Sequence, residues 1–306
     1  MKSRAVFLVV ALVVLVGVGY IVLTQSKSGL REDPLQIIVG NFVDAKVYEI
    51  SKNALQDVSF SSGNSVTSRS RRKDIGSTMT IFKQPDEVGN TLILETATEN
   101  RFLDTPFGIK DRPALSFSGS LVAYAMLDLP PGTLSSENVS DWRINVLNIE
   151  TGEVEDLGVG YAPYFVSGNP DVVLFSSPEG IVSVNLQNKE RRTFESRTVQ
   201  YITHAAHASP DGAYLAIYND LTTHYSIFEV QEISSLQLNP IGEIPEKFDT
   251  IALSNAMFYG VHRDEEDGSV TLWQYPLDTI IPPITSVTGD MLYTFDEGVV
   301  PYQIIP

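Results

Sequence analysis

"ASPDGAYLAIYND", Ala208 to Asp220, decides the fold. Ser209, Pro210, Asp211 and Gly212 make a tight turn: Pro presets φ, Asp bonds its own backbone, and Gly takes the left-handed step. The turn runs straight into an apolar, aromatic strand. Slid along the chain, the phrase recurs. "LSFSGSLVAYAM" puts Ser116 and Gly119 where Ser209 and Gly212 stand, and "FVSGNPDVVLFSS" offers Ser167 and Gly168. "LSNAMFYGV" has Ser254 before a shortened turn, "SVTGDMLYTF" has Ser286 and Gly289, and "VSFSSGNSVT" carries a degraded copy at Ser59. The intervals between these serines are 57, 51, 42, 45 and 32 residues. Three of them fall near the ~40–50 residues of one four-stranded propeller blade.

The intervening sequence agrees. Short runs rich in Val, Ile, Tyr, Phe and Thr alternate with Gly, Pro, Asn, Asp and Ser clusters, the pattern of strands joined by tight turns. "STMTIFKQPDEVGNTLILET", "RINVLNIETGEVEDL" and "GVHRDEEDGSVTLWQYPL" each read as a hairpin with a Gly in its turn. Residues 35–306 number 272, which at ~45 per blade predicts an all-β propeller of about six four-stranded blades, with five to seven possible. The copy at Ser286 is too short for four strands. The early strands in "LQIIVGNFVDAKVYEI" are expected to complete it and remove the open sheet edge.

"ASPDGAYLAIY" resembles the TolB-type (WD-like) propeller repeat, in which an apolar strand is followed by Ser-Pro-Asp-Gly and a strand ending in Ala or Phe. "LSFSGSLVAYA" keeps Ser, Gly, Leu and Ala but lacks Pro and Asp. The likeness runs over residues 110–300 and fades over 35–110. It implies an architecture; such propellers act as binding platforms, as lids on peptidases and as enzymes.

At the other end of the chain, Ala5 to Thr24 ("AVFLVVALVVLVGVGYIVLT") is twenty residues without a charge. A helix of that length spans about 30 Å, the thickness of the hydrocarbon layer. Lys2 and Arg4 precede it and favour a cytoplasmic N-terminus, while Tyr20 sits where an interfacial aromatic would. A cleaved signal is the competing reading, but its apolar core would be shorter, and "IVLTQSKSG" has no small-residue cleavage site. The expected organisation is a cytoplasmic tip and membrane anchor over 1–24, a linker over 25–34 and an extracytoplasmic propeller over 35–306.

Lys2 and Arg4 are the only charged side chains before Thr24. The rest of the chain therefore carries all 38 acidic residues against 19 of the 21 basic ones, a net charge of −19. Such a surface repels phosphate backbones, so nucleic acid is not an expected partner. Cysteine is absent, which excludes disulfides, thiolate metal sites, a cysteine nucleophile and a lipidated N-terminal cysteine.

Candidate chemistry is sparse. His204 and His207 in "HAAH" lie three apart in a strand entry and so face opposite sides, while His224 and His262 lie in other turns. "HRDEEDG", His262 to Gly268, has consecutive rather than alternating acids and reads as a solvated turn, not a calcium loop. "TSRSRRKD", Thr67 to Asp74, is a basic island that reads as a flexible loop, with contact to an anionic surface as the alternative. Asn138-Val-Ser140 is a glycosylation acceptor only where that machinery exists. No G-x-S-x-G elbow, phosphate loop or dinucleotide fingerprint occurs. No cofactor, metal or catalytic residue is expected. The function expected is a membrane-anchored binding or scaffolding platform for a protein, peptide or envelope polymer. The alternatives are an envelope hydrolase or lyase working at the central channel, and a structural envelope component.

Overall fold

In the computed structural model the strands form six separate four-stranded antiparallel sheets. It describes residues 35–40, 45–51, 54–57, 65–83, 89–130, 133, 135–166, 169–195, 199–219, 222–231, 237–244, 248–264, 266–280, 289–296, 299 and 301–306. The chain opens with β1 (Leu35–Gly40), β2 (Ala45–Ser51) and β3 (Ala54–Asp57). Blade one is β4 (Ser65–Arg72), β5 (Ser77–Lys83), β6 (Thr91–Glu95) and β7 (Asn100–Leu103). Blade two is β8 (Lys110–Leu115), β9 (Leu121–Leu127), β10 (Trp142–Asn148) and β11 (Val154–Val159). Blade three is β12 (Tyr161–Val166), β13 (Asn169–Ser177), β14 (Gly180–Asn185) and β15 (Arg191–Glu195). Blade four is β16 (His207–Ala208), β17 (Tyr214–Asn219), β18 (His224–Gln231) and β19 (Gln237–Ile244). Blade five is β20 (Thr250–Leu253), β21 (Met257–Arg263), β22 (Val270–Pro276) and β23 (Asp290–Phe295). The sixth joins both ends of the domain: β24 (Pro301–Ile305) pairs with β1, followed by β2 and β3. This is a six-bladed, all-β propeller.

The first strand of each blade is innermost. β4 abuts β8, β8 abuts β12, β16 abuts β20, β20 abuts β24, and β24 returns to β4. The second strands are squeezed between neighbouring blades and carry the core, as in β9, where Val122, Ala123, Tyr124 and Ala125 are fully buried. Closure is reinforced across the seam by an amide clamp. The Gln303 side chain of β24 accepts from the Arg69 backbone N–H at 3.0 Å and donates to the Arg69 carbonyl at 2.8 Å.

The repeated turn joins innermost to second strand, and its serine acts through both its backbone and its hydroxyl. The Ser209 N–H donates to the Tyr214 carbonyl while its Oγ accepts the Tyr214 N–H, both at 3.0 Å. Ser116 makes the same pair with Leu121, and Ser254 with Met257. Gly119 and Gly212 sit at φ +74° and +67°, the left-handed region that disfavours a Cβ. Asp211 Oδ1 accepts from Ser209 Oγ and from the Ala213 N–H. In blade two Phe117 and Ser118 replace Pro and Asp, and Ser118 Oγ takes over both links, bonding the Ser116 hydroxyl and accepting the Ser120 N–H at 3.3 Å.

Two expectations are corrected. The basic stretch Thr67–Asp74 is not a loop: it supplies most of β4, an innermost strand, and leads into a turn ending at Gly76, φ +60°. Arg69 is placed inside beside Gln36 and Glu95 of other segments, and Arg72 beside Asp74 of its own. The frame ending at Gly289 does not start a blade. Gly289 precedes β23, the outermost strand of blade five, and a Cβ there would lie 2.5 Å from the Tyr275 ring. The sixth blade begins at β24, whose successor β1 comes from the other end of the domain, so no connecting turn exists there. Ser59, Ser167, Gly168 and Ser286 lie outside the described residues. So does the expected span Ala5–Thr24; among the described residues no helix is long and apolar enough to cross a membrane.

Candidate functional site

The innermost strands enclose a channel with two mouths. The first, at their C-terminal ends, is a recess of ≈ 160 Å³ lined by Arg69–Arg72 of β4, by the Ser209–Pro210 turn and by Gln303–Pro306. The second, at their N-terminal ends, is a recess of ≈ 600 Å³ that draws on blades two to six.

Cations at the first mouth serve the fold. Arg69 donates to Glu95 at 2.9 Å and to Gln36 at 3.1 Å, tying the first blade to the sixth. Arg72 is bidentate to Asp74, at 2.9 and 2.5 Å, and its guanidinium stacks 3.9 Å over the Phe117 ring of blade two. The Arg72 hydrogen bond holds the Asp74 carboxyl below its ordinary range.

The second mouth is built differently. In β8 the pairing slips between Asp111 and Ala114, and Arg112 sits at φ +49°; in β12 it slips between Tyr161 and Tyr164, with Ala162 at φ +52°. Each of these residues precedes a proline, which lacks the N–H that a regular ladder needs. A left-handed non-glycine residue costs of order 1–3 kcal/mol and persists only where its surroundings fix it. Here the Arg112 N–H is held by Asp111 Oδ1 at 2.7 Å and by Ser68 Oγ of blade one at 3.1 Å. The second Asp111 oxygen accepts the Tyr161 hydroxyl. From blade six the Tyr302 hydroxyl donates to the Val66 and Thr67 carbonyls. From blade five Asp249 pairs with Arg263 at 3.2 Å.

The electrostatics follow from confinement. Arg112 and His207 line the channel and are half-buried. Burial alone would lower the Arg112 pKa, but Tyr161, Asp111 and Tyr302 outweigh it and raise it. Burial, then the Arg112 charge, pushes His207 down to about 3, so its imidazole is neutral. Burial, then Asp111, holds the Tyr161 and Tyr302 hydroxyls protonated well above their ordinary range.

The histidines flagged in the sequence separate. His207 faces the channel from β16, whereas His204 stacks on Tyr218 with ring centroids 4.2 Å apart. His224 lies 3.6 Å from Glu243, and His262 packs edge-on to Phe248. In the "HRDEEDG" turn Asp264 caps the N–H groups of Glu266 and Asp267, and Asp267 caps Ser269. These two acids serve their own backbone. Among the described residues no three His, Cys, Asp or Glu side chains converge as a metal ion would need. Sequence reading missed Asp111, Arg112, Tyr161 and Tyr302. Its available signal was the pair of X-Pro steps, Arg112-Pro113 and Ala162-Pro163, in inner strands.

No family profile matches the chain, and no curated protein matches it. Solved structures do. TolB from Acinetobacter baumannii superposes with a TM-score of 0.56 at 14% identity, over 84% of this chain and 65% of that one. This chain thus spans less than two thirds of that protein. An oligogalacturonate lyase from Vibrio parahaemolyticus gives 0.52 at 13% identity, over 84% and 79%. The propeller domain of Cps50 (Swd1) from Myceliophteria thermophila gives 0.51 at 11%, over 86% and 84%. These likenesses establish a TolB-like and WD40-like propeller fold.

Proposed function

We propose that the chain is a binding platform: a propeller held outside the cytoplasm by residues 5–24 that offers its second channel mouth to a protein, peptide or envelope polymer. One observation carries the reading. That mouth gathers polar side chains from several blades around a recess of ≈ 600 Å³, the form of a recognition site. The enzyme alternative needs a free acid–base or nucleophile pair. Asp111 is held by Tyr161 and the Arg112 backbone, Asp249 by Arg263, and His207 stays neutral, so that reading gains no support. The test is photo-crosslinking in isolated envelopes, with the reactive group at exposed Thr203 on the mouth or at Val154 on the outer strand of blade two. The reading expects a discrete adduct from Thr203 and none from Val154. Equal labelling from both positions, or none from Thr203, rejects it. Attachment and sidedness are checked separately, by carbonate extraction and by protease access in intact and opened cells.

A further inference from the structure

Acidic charge is concentrated in two of the six blades. Residues 207–295, which form blades four and five, hold thirteen Asp and Glu against two Lys and Arg, a net −11 within a chain of net −17. Of those two cations Arg263 is committed to Asp249 at the second mouth, and Lys247 lies outside the described residues. Between the same two blades runs a groove of ≈ 820 Å³. It opens where β17 and β21 begin and β22 ends, so on the face of the first mouth and away from Arg263. Its floor is apolar: Leu277 and Ile280 are buried, and Tyr214 and Ile241 pack half-buried against the same core. Its walls carry Glu229 and the exposed Asp278, and among the described residues no basic side chain lines it. Beside it the Asp211 N–H donates to Asn255 Oδ1 at 3.3 Å, tying the turns of the two blades together.

We propose that this groove docks a basic segment of a partner protein, an apolar side chain entering over Leu277 and Ile280 while a flanking lysine or arginine meets Asp278. The surface is separate from the second mouth and opens on the opposite face, so the Thr203 adduct does not bear on it. The two parts of the groove do different work. Burying the floor supplies affinity, and the one-signed field around it speeds the approach of basic segments and turns acidic ones away. A bare polyamine would leave the floor wet. A second copy of this chain, itself at net −17, would arrive against like charge.

The full-length chain in non-ionic detergent is titrated into three labelled hexapeptides and followed by fluorescence anisotropy. They alternate lysine with leucine, glutamate with leucine, and lysine with serine. The groove predicts that the lysine–leucine peptide binds at least about tenfold more tightly than either of the others, and that its affinity falls as salt is raised. A256R puts a bulky cation on the exposed rim and should cost at least about tenfold, and D278N about threefold. E150Q, the same loss of charge at an exposed site in blade two, should cost nothing. Each variant is checked for native circular dichroism. Equal losses in D278N and E150Q would show attraction to the net charge alone and overturn the site. A lysine–serine peptide bound as tightly as the lysine–leucine one overturns it, as does affinity that survives A256R. Failure of all three peptides to bind overturns it as well. A dimer in light scattering that A256R dissolves assigns the groove to a second copy, against the proposal.

Discussion

Replacing Lys110 by methionine tests whether a cation is held inside the interface of blades one and two. Lys110 is 1% exposed. Its ammonium donates to the Asn90 carbonyl at 3.0 Å and the Gly108 carbonyl at 3.2 Å, and Asn90 brackets its backbone with two bonds of 2.7 Å. Burial pulls its pKa from 10.5 down to about 8. The folded state thus releases this proton about 2.5 pH units before the unfolded state does. Below pH 8 the buried charge costs stability, and the cost is relieved as pH rises from 8 towards 10.5. At ~1.4 kcal/mol per unit the full span is roughly 3 kcal/mol, of which ~2 kcal/mol falls between pH 7 and 9.5. The window is closed at 9.5 because ordinary tyrosines begin to ionise near 10. Urea unfolding followed by tryptophan fluorescence, at half-unit steps over that range, reads the effect. The difference between the parent chain and K110M should move by ~2 kcal/mol in favour of the parent as pH rises. The two lost carbonyl contacts shift the offset between the curves, not their relative slope. Parallel curves would refute the argument, since they would mean that Lys110 gives up its proton no earlier folded than unfolded.

Three further outcomes follow from the same geometry. S209A removes the hydroxyl that accepts the Tyr214 N–H and donates to Asp211, and should lower stability by ~1–2 kcal/mol in urea titrations; an unchanged midpoint would show that the turn does not need it. D74A strips the bidentate partner from Arg72, whose side chain is 6% exposed, and should cost ~2 kcal/mol, with R72M/D74A recovering at least half; a double variant no better than D74A contradicts this. Q303A opens the amide clamp on Arg69 and should raise hydrogen exchange in β24 and β1 ahead of the other blades; uniform protection across all six would count against seam closure by that residue.

How far the sequence could be read tracks how local each interaction is. The blade four turn is intact in "SPDG" because its bonds run within Ser209–Tyr214. Blade two keeps Ser116 and Gly119, the residues that make the turn, and replaces the two that only refine it. Blade one is legible only as its β5–β6 hairpin, because its first turn, Lys73 to Gly76, uses Asp74 to bind Arg72 rather than a serine to bind the next strand. Its inner strand reads as a solvated basic loop for a sound reason. Arginines go inside only beside partners, and those of Arg69 are Gln36 and Glu95, 33 and 26 residues away. Gly289 misled in the opposite way: its glycine serves a close approach to Tyr275, not a left-handed turn.

By itself the sequence determined the strand-and-turn rhythm, and hence an all-β propeller of about six blades, because those features rest on contacts within a few residues. The early strands are expected from the sequence to close the ring, and only the tertiary structure decided that they do so on β24. It also decided that Asp111, Arg112, Tyr161, His207 and Tyr302 line one mouth. These residues come from four blades and meet only because the ring closes. No local pattern encodes such a meeting, since each strand's share of it is one or two polar residues near its start, and the bulges in β8 and β12 leave only an X-Pro step in the sequence.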